Sequence, residues 1–114
     1  MTTDAPIQQP VTLTVAQALN KAVAHQQAGE LQDAEQLYRA ILQAQPNHPD
    51  ANHNLGVLAV QVKQPATGLP FFKAALDANP DIEHFWLSYI DVLILAGQSD
   101  VARQVMHHCY RRAA

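Results

Sequence analysis

Apolar residues along the chain recur at helical spacing in six stretches, which are separated by glycine, proline and polar residues. The first stretch ends at Gly29, which suits a left-handed helix cap. Thr14 and Gln17 form a capping box at its start. The pattern predicts helices over about residues 15–28, 30–44, 48–62, 65–78, 81–96 and 98–112. No stretch of useful length alternates between apolar and polar residues, so we expect no strands.

The six stretches form three copies with a spacing of 34 residues. Tyr38 and Phe72 are 34 apart, and the same spacing separates Pro46 from Pro80. Two further columns follow it: Asn20 with Asn54, and the small residues Ala34, Gly68 and Ala102. A period of 34 is typical of stacked helix pairs, in which each pair buries its apolar face only against its neighbours. The spacing therefore favours binding by a surface over chemistry.

These columns resemble the tetratricopeptide repeat, whose pattern has Trp, Leu, Gly and Tyr on a first helix and Ala, an aromatic residue, Ala and Pro on a second. The second copy carries the pattern best, at Leu55, Gly56, Gly68, Phe72, Ala75 and Pro80. The resemblance implies an all-α solenoid of three antiparallel helix-turn-helix pairs in a right-handed superhelix. The domain would span residues 14–114, with repeats at about 15–48, 49–82 and 83–114, after a flexible lead-in at 1–13.

The packing expected of such pairs follows from residue size. Small residues at Ala22 and Gly56 should let the two helices of a pair approach closely. Tyr38, Phe72 and Met106 should fill the gaps between successive pairs. Pro70 lacks a backbone donor inside the fourth predicted helix, so we expect a frayed or bent first turn there.

The candidate binding surface is the concave side, which first helices line in tetratricopeptide arrays. Groove-facing residues of each first helix are expected at i, i+4, i+7 and i+11. This stripe also includes Ala16 and Leu95, and the residues expected to form the groove are Asn20, Val23, Gln27, Asp50, Asn54, Val57, Gln61, His84, Ser88 and Asp91. Side-chain amides donate and accept at once, so Asn20 and Asn54 could hold an extended peptide backbone. This column resembles the asparagine ladder of the repeat arm of O-GlcNAc transferase; the alternative is that the amides are only solvated.

Two sets of residues bear on catalysis and metal binding. His84, Ser88 and Asp91 are the residue types of a hydrolase triad, but one straight helix face offers no donors for a developing oxyanion. His107 and His108 point about 100° apart on a helix, as 3.6 residues per turn requires. His48 and His53 lack i, i+4 spacing and thiol partners. We expect no catalytic residue, no cofactor and no metal site.

The composition limits the classes of partner and the cellular location that can be expected. Seven Lys and Arg against ten Asp and Glu give a net charge of −3 without a basic stripe, which argues against nucleic acid. No apolar run is long enough to span a bilayer. Cys109 is the single cysteine, so no internal disulfide is possible and a cytoplasmic location is the expectation.

The end of the third copy leaves two functions open. No capping helix follows the third pair, so Val105, Met106 and Tyr110 would be left uncovered unless a partner or a second copy packs on them. One interpretation is a peptide-binding module, alone or as the N-terminal arm of a larger protein such as a transferase. The other is a structural element that forms a homodimer through its last helix.

Overall fold

The computed structural model describes residues 13–113, and within this range the chain is helical without a strand. The six helices are α1 (Val15–Gln27), α2 (Leu31–Ala44), α3 (Pro49–Gln61), α4 (Pro65–Ala78), α5 (Glu83–Leu95) and α6 (Ser99–Ala113). The expected bounds are thus confirmed to within two residues. The lead-in expected at residues 1–13 lies outside the described residues except for Leu13. No helix in the described range has the length and apolar character needed to cross a bilayer.

Each helix pair closes through the same turn. Gly29, Lys63 and Gly97 lie 34 residues apart and all have positive φ, at 80°, 63° and 80°. The next N–H in each turn donates back to a carbonyl of the preceding helix: Glu30 to His25 at 2.9 Å, Gln64 to Ala59 at 2.8 Å and Gln98 to Leu93 at 2.8 Å. These bonds satisfy carbonyls at the helix end, as in a Schellman motif. The repeat therefore fixes backbone conformation even at Lys63, where the sequence has no glycine.

The close approach within the second pair depends on two glycines. A Cβ on Gly68 would lie 3.0 Å from the carbonyl oxygen of Gly56, and a Cβ on Gly56 would lie 2.7 Å from the ring of Phe72. The expected role of small residues is therefore seen at this contact. α4 is continuous from Pro65 through Pro70, so the fraying expected at its first turn is not found.

The column that fills the gaps between pairs is buried in two copies and open in the third. Tyr38 is fully buried and Phe72 is 3% exposed, whereas Met106 is 40% exposed. Met106 therefore fills no gap, since no described element packs on α6 from the far side, and it is uncovered as expected at the end of the third copy. Val105, in contrast, is half-buried and packs inward against the clusters around Trp86 and Leu93.

Each turn between pairs accepts a hydrogen bond from the side chain at one position of the repeat, Asn52 in the second copy and Trp86 in the third. Asn52 Nδ2 donates to the Pro46 carbonyl at 3.1 Å, and Trp86 Nε1 donates to the Pro80 carbonyl at 2.7 Å. Arg112 adds an ion pair to Asp81 at 2.9 Å. The buried amide of Asn52 thus makes the same hydrogen bond in the second copy as the Trp86 indole makes in the third.

The two ends of the stack differ in polarity. α3 buries Ala51, Leu55 and Leu58 against the preceding pair. The equivalent residues of α1 are Gln17, Lys21 and Ala24, and all three are exposed. At the other end, large apolar side chains are exposed at Leu87, Ile94, Met106 and Tyr110. One end is therefore polar and the other is apolar.

Candidate functional site

Seven of the ten residues predicted for the groove line two adjoining cavities. The first has a volume of 290 Å³ and is lined by Val23, Gln26, Gln27, Asn54, Val57 and Gln61. The second, of 230 Å³, lies between the second and third pairs and is lined by Val57, Val60, Phe72, Ser88, Asp91, Val92 and Leu95. Val57 belongs to both. Asn20, Asp50 and His84 are exposed and line neither cavity.

A chain of hydrogen bonds beneath the first cavity centres on Gln26. The Tyr38 hydroxyl donates to Gln26 Oε1 at 2.5 Å, and Gln26 Nε2 donates to Gln61 Oε1 at 2.6 Å. Burial raises the pKa of Tyr38 to about 12, so its hydroxyl stays protonated as a donor. These bonds use the side-chain oxygen of Gln61, and no hydrogen bond among the described residues uses its NH2 group.

A second network joins α3 to α5 through His53, which is only 8% exposed. His53 Nε2 lies 2.8 Å from Ser88 Oγ, and Nδ1 lies 3.4 Å from Asn54 Oδ1. Since an amide oxygen can only accept, Nδ1 carries the proton and Nε2 accepts from the Ser88 hydroxyl. Asn54 therefore has its oxygen engaged, and its NH2 group, which also meets the Tyr38 hydroxyl, has one N–H left to donate.

The surroundings of His53 disfavour its charged form. Its ring lies 5.3 Å from the Phe72 ring, 5.1 Å from Phe85 and 5.0 Å from His84 between centroids. Burial is the main cause that lowers the pKa of His53. The charge of His84 adds to it, whereas Asn54 and Asp50 oppose it. The folded chain thus prefers neutral His53.

Acidification should destabilise the fold through His53. Because its pKa is lower in the folded chain than the ordinary value of about 6.5, the unfolded chain takes up the proton first. The stabilising contribution is complete above about pH 6.5 and is lost as the pH falls through the folded pKa. We expect the melting temperature of the wild type to fall more between pH 7.5 and pH 5 than that of His53→Gln. His107→Gln, at an exposed site on α6, is the control; equal pH dependence in all three chains would contradict the role of His53.

Two of the residues predicted for the groove, Asp50 and Asp91, are acidic. Among residues 13–113, neither Asp50 nor Asp91 takes part in an ion pair, whereas four Arg or Lys side chains, Arg39, Lys73, Arg103 and Arg112, are paired elsewhere. His25, Glu30 and Asp33 bring ligand atoms within 4.8 Å of one another away from the groove. The His25–Glu30 contact of 2.8 Å is an ion-pair geometry on the surface and requires no metal.

Sequence reasoning missed Gln26 and His53. Two of the bonds between adjacent first helices, Gln26 to Gln61 and His53 to Ser88, join residues 35 apart, and a third, from Gln26 Nε2 to the Asn54 carbonyl at 3.5 Å, joins residues 28 apart. Neighbouring first helices are therefore offset by one residue from the repeat at the first two contacts. A search for polar residues at 35 as well as 34 would have found both pairs.

Comparisons with known proteins agree with this architecture. A sequence profile described as tetratricopeptide repeat matches residues 19–81, more than half of the chain. No curated protein sequence matches significantly. Among solved structures 43 chains match. One of them, described as MamA MSR-1 C2, has a TM-score of 0.70 at 21% identity over 90% of this chain, which spans 56% of the length of that structure. At this identity the likeness concerns the fold alone.

Proposed function

Because the chain belongs to the tetratricopeptide repeat family, we propose that it is an interaction module that holds an extended segment of a partner protein in the groove formed by α1, α3 and α5. This proposal rests on the hydrogen bonding of two side-chain amides on α3. Asn54 and Gln61 both have their oxygen engaged inside the protein; Gln61 keeps its whole NH2 group, and Asn54 keeps one N–H beside the one that meets the Tyr38 hydroxyl. Such groups are oriented donors for the carbonyls of a peptide backbone.

The spacing of the two donors suits an extended ligand. Seven residues of helix separate Asn54 from Gln61, which is about 10 Å at a rise of 1.5 Å per residue. An extended chain covers that distance in about three residues. The donors bind backbone rather than side chains, so this part of the groove tolerates many ligand sequences. The expected ladder thus becomes Asn54 with Gln61, and Asn20 is a solvated residue at its edge.

The groove residues serve binding and not catalysis. His53 and Ser88 form a hydroxyl–imidazole pair, but the backbone N–H groups around them are used within α3 and α5. No set of donors is therefore left to stabilise an oxyanion. We place the module in a cytoplasmic protein. It could act alone or as an arm of a longer protein, since the groove is the same in both cases.

Removal of the two donors should weaken peptide binding. Asn54→Asp with Gln61→Glu keeps the oxygens that His53 and Gln26 bind and replaces both NH2 groups by acceptors. We expect at least about tenfold weaker binding of a fluorescent heptapeptide selected by the wild type from a random library, since each lost hydrogen bond accounts for about fivefold. Gln43→Glu with Gln32→Glu, at exposed sites on α2, is the control for charge. Unchanged anisotropy titrations in the groove variant would refute the proposal.

The apolar end of the stack favours a second function, self-association. Tyr110 is 72% exposed, and it lines a cavity of 380 Å³ together with Glu83, Leu87, Ile90, Asp91, Ile94, Met106 and Cys109. An exposed apolar surface of this kind marks an interaction site. Tyr110 and Met106 would form the contact between two copies, whereas Val105 supports α6 from within.

Light scattering tests the homodimer directly. We expect a mass that rises from monomer to dimer with concentration in the wild type and stays monomeric in Tyr110→Glu. Val62→Glu places the same charge on an exposed apolar residue at the end of α3 and should leave association unchanged. A monomeric wild type at all concentrations would exclude this function.

A further inference from the structure

The cavity between the second and third pairs differs from the first in chemistry. Its walls are the apolar side chains Val57 and Val60 of α3, Phe72 of α4, and Val92 and Leu95 of α5. Two polar residues of α5 complete the lining, and one of these, Ser88, already binds His53. That leaves Asp91 as the polar group of the cavity that a ligand can reach.

Asp91 is an exposed carboxylate without an internal partner. Within residues 13–113 it forms no ion pair and no side-chain hydrogen bond, and neither groove cavity is lined by a Lys or Arg. An apolar pocket with a carboxylate at its edge complements a side chain that has an aliphatic stem and a cationic head. The same charge disfavours an acidic side chain.

We infer that this pocket selects a lysine or arginine of the bound peptide, with the stem against Val57 and Leu95 and the head at Asp91. The inference rests on the proposed peptide groove and adds a specificity to it. Amide donors that hold backbone carbonyls cannot choose between ligand sequences, so the choice falls to the adjoining pocket.

The position of Val57 indicates where in the ligand the basic residue lies. This residue lies between Asn54 and Gln61 on α3 and lines both cavities. The basic side chain therefore belongs to the same short segment that the two amides hold, within about three residues of either contact. A single recognition element would combine backbone binding with one cationic side chain.

The experiment is a selection of random heptapeptides displayed on phage against the immobilised chain, followed by titrations of synthetic peptides. We expect the selected peptides to share a basic residue at one position. Replacing that residue by norleucine, which keeps the stem and removes the charge, should weaken binding to the wild type about fivefold, as a partly shielded ion pair implies. Binding to Asp91→Asn should be the same for both peptides. Asp100→Asn on α6 is the matched control and should retain the fivefold preference.

The outcomes separate this inference from the proposed groove. Peptides that bind the wild type but lack a shared basic position, or whose norleucine analogues bind equally well, overturn the pocket and leave the groove standing. Failure to enrich any peptide overturns both. Higher salt should weaken the basic peptide more than its norleucine analogue, because salt screens the ion pair; equal salt dependence also contradicts the inference.

Discussion

Replacing Tyr38 by alanine is expected to lower the free energy of unfolding by about 3–5 kcal/mol, as large aromatic truncations in a packed core do. The ring is fully buried between the first and second pairs, in a cluster with Ala22, Ile41 and Leu55. Its removal leaves a cavity at the interface on which stacking of these pairs depends. Since domains of this kind are stable by only about 5–15 kcal/mol, urea denaturation should show a large shift of the midpoint.

Tyr38→Phe is the matched comparison for this substitution. It keeps the ring but removes the hydroxyl that donates to Gln26 Oε1. We expect a loss of about 0.5–1.5 kcal/mol, the usual contribution of one hydrogen bond. Gln26 would then hold Gln61 less firmly, so peptide binding should weaken although the core is intact. Equal stability of the alanine and phenylalanine variants would show that the ring does not support the interface.

Gly56→Ala is expected to destabilise the chain by about 1–2 kcal/mol, even though alanine favours helix formation over glycine by about 1 kcal/mol. The added Cβ would lie 2.7–2.8 Å from three ring atoms of Phe72. That ring is 3% exposed, and its packing would have to shift to accommodate the methyl group. Steric overlap therefore outweighs the gain in helix propensity.

A double-mutant cycle with Phe72→Leu tests this cause. Leucine removes the ring atoms that the new methyl group meets, so Gly56→Ala should be close to neutral or stabilising in that background. Gly68→Ala gives a graded comparison, since its Cβ would lie 3.0 Å from the Gly56 carbonyl oxygen and 3.3 Å from Ala59. Additive effects of the two substitutions in the cycle would mean that the Phe72 ring is not the obstacle.

The helices could be predicted from the sequence because their ends depend on local chemistry. Thr14 and Gln17 form the expected capping box, Gly29 adopts the left-handed conformation, and Pro65 begins α4. Each of these signals acts within a few residues and needs no knowledge of the stack.

The groove could be predicted only in part because it depends on how one pair sits on the next. The stripe at i, i+4, i+7 and i+11 located Asn54, Val57 and Gln61, but it assigned a rung to Asn20 and omitted Gln26. The offset of one residue between first helices decides which amide meets Gln61. No periodicity within a single helix contains that offset. Burial of His53 likewise results from Phe72 and Phe85 on two other helices.

The difference between the two ends of the stack limits how the chain can assemble. A filament requires that the apolar end of one copy fit the opposite end of the next, and of the residues described there, Gln17, Lys21 and Ala24 provide no large apolar side chain. The other arrangement is contact between the apolar ends of two copies. These ends are related by a two-fold axis, and the contact buries both of them. If the chain self-associates as proposed, the assembly stops at two copies, so raising the protein concentration would yield a closed dimer rather than a growing fibre.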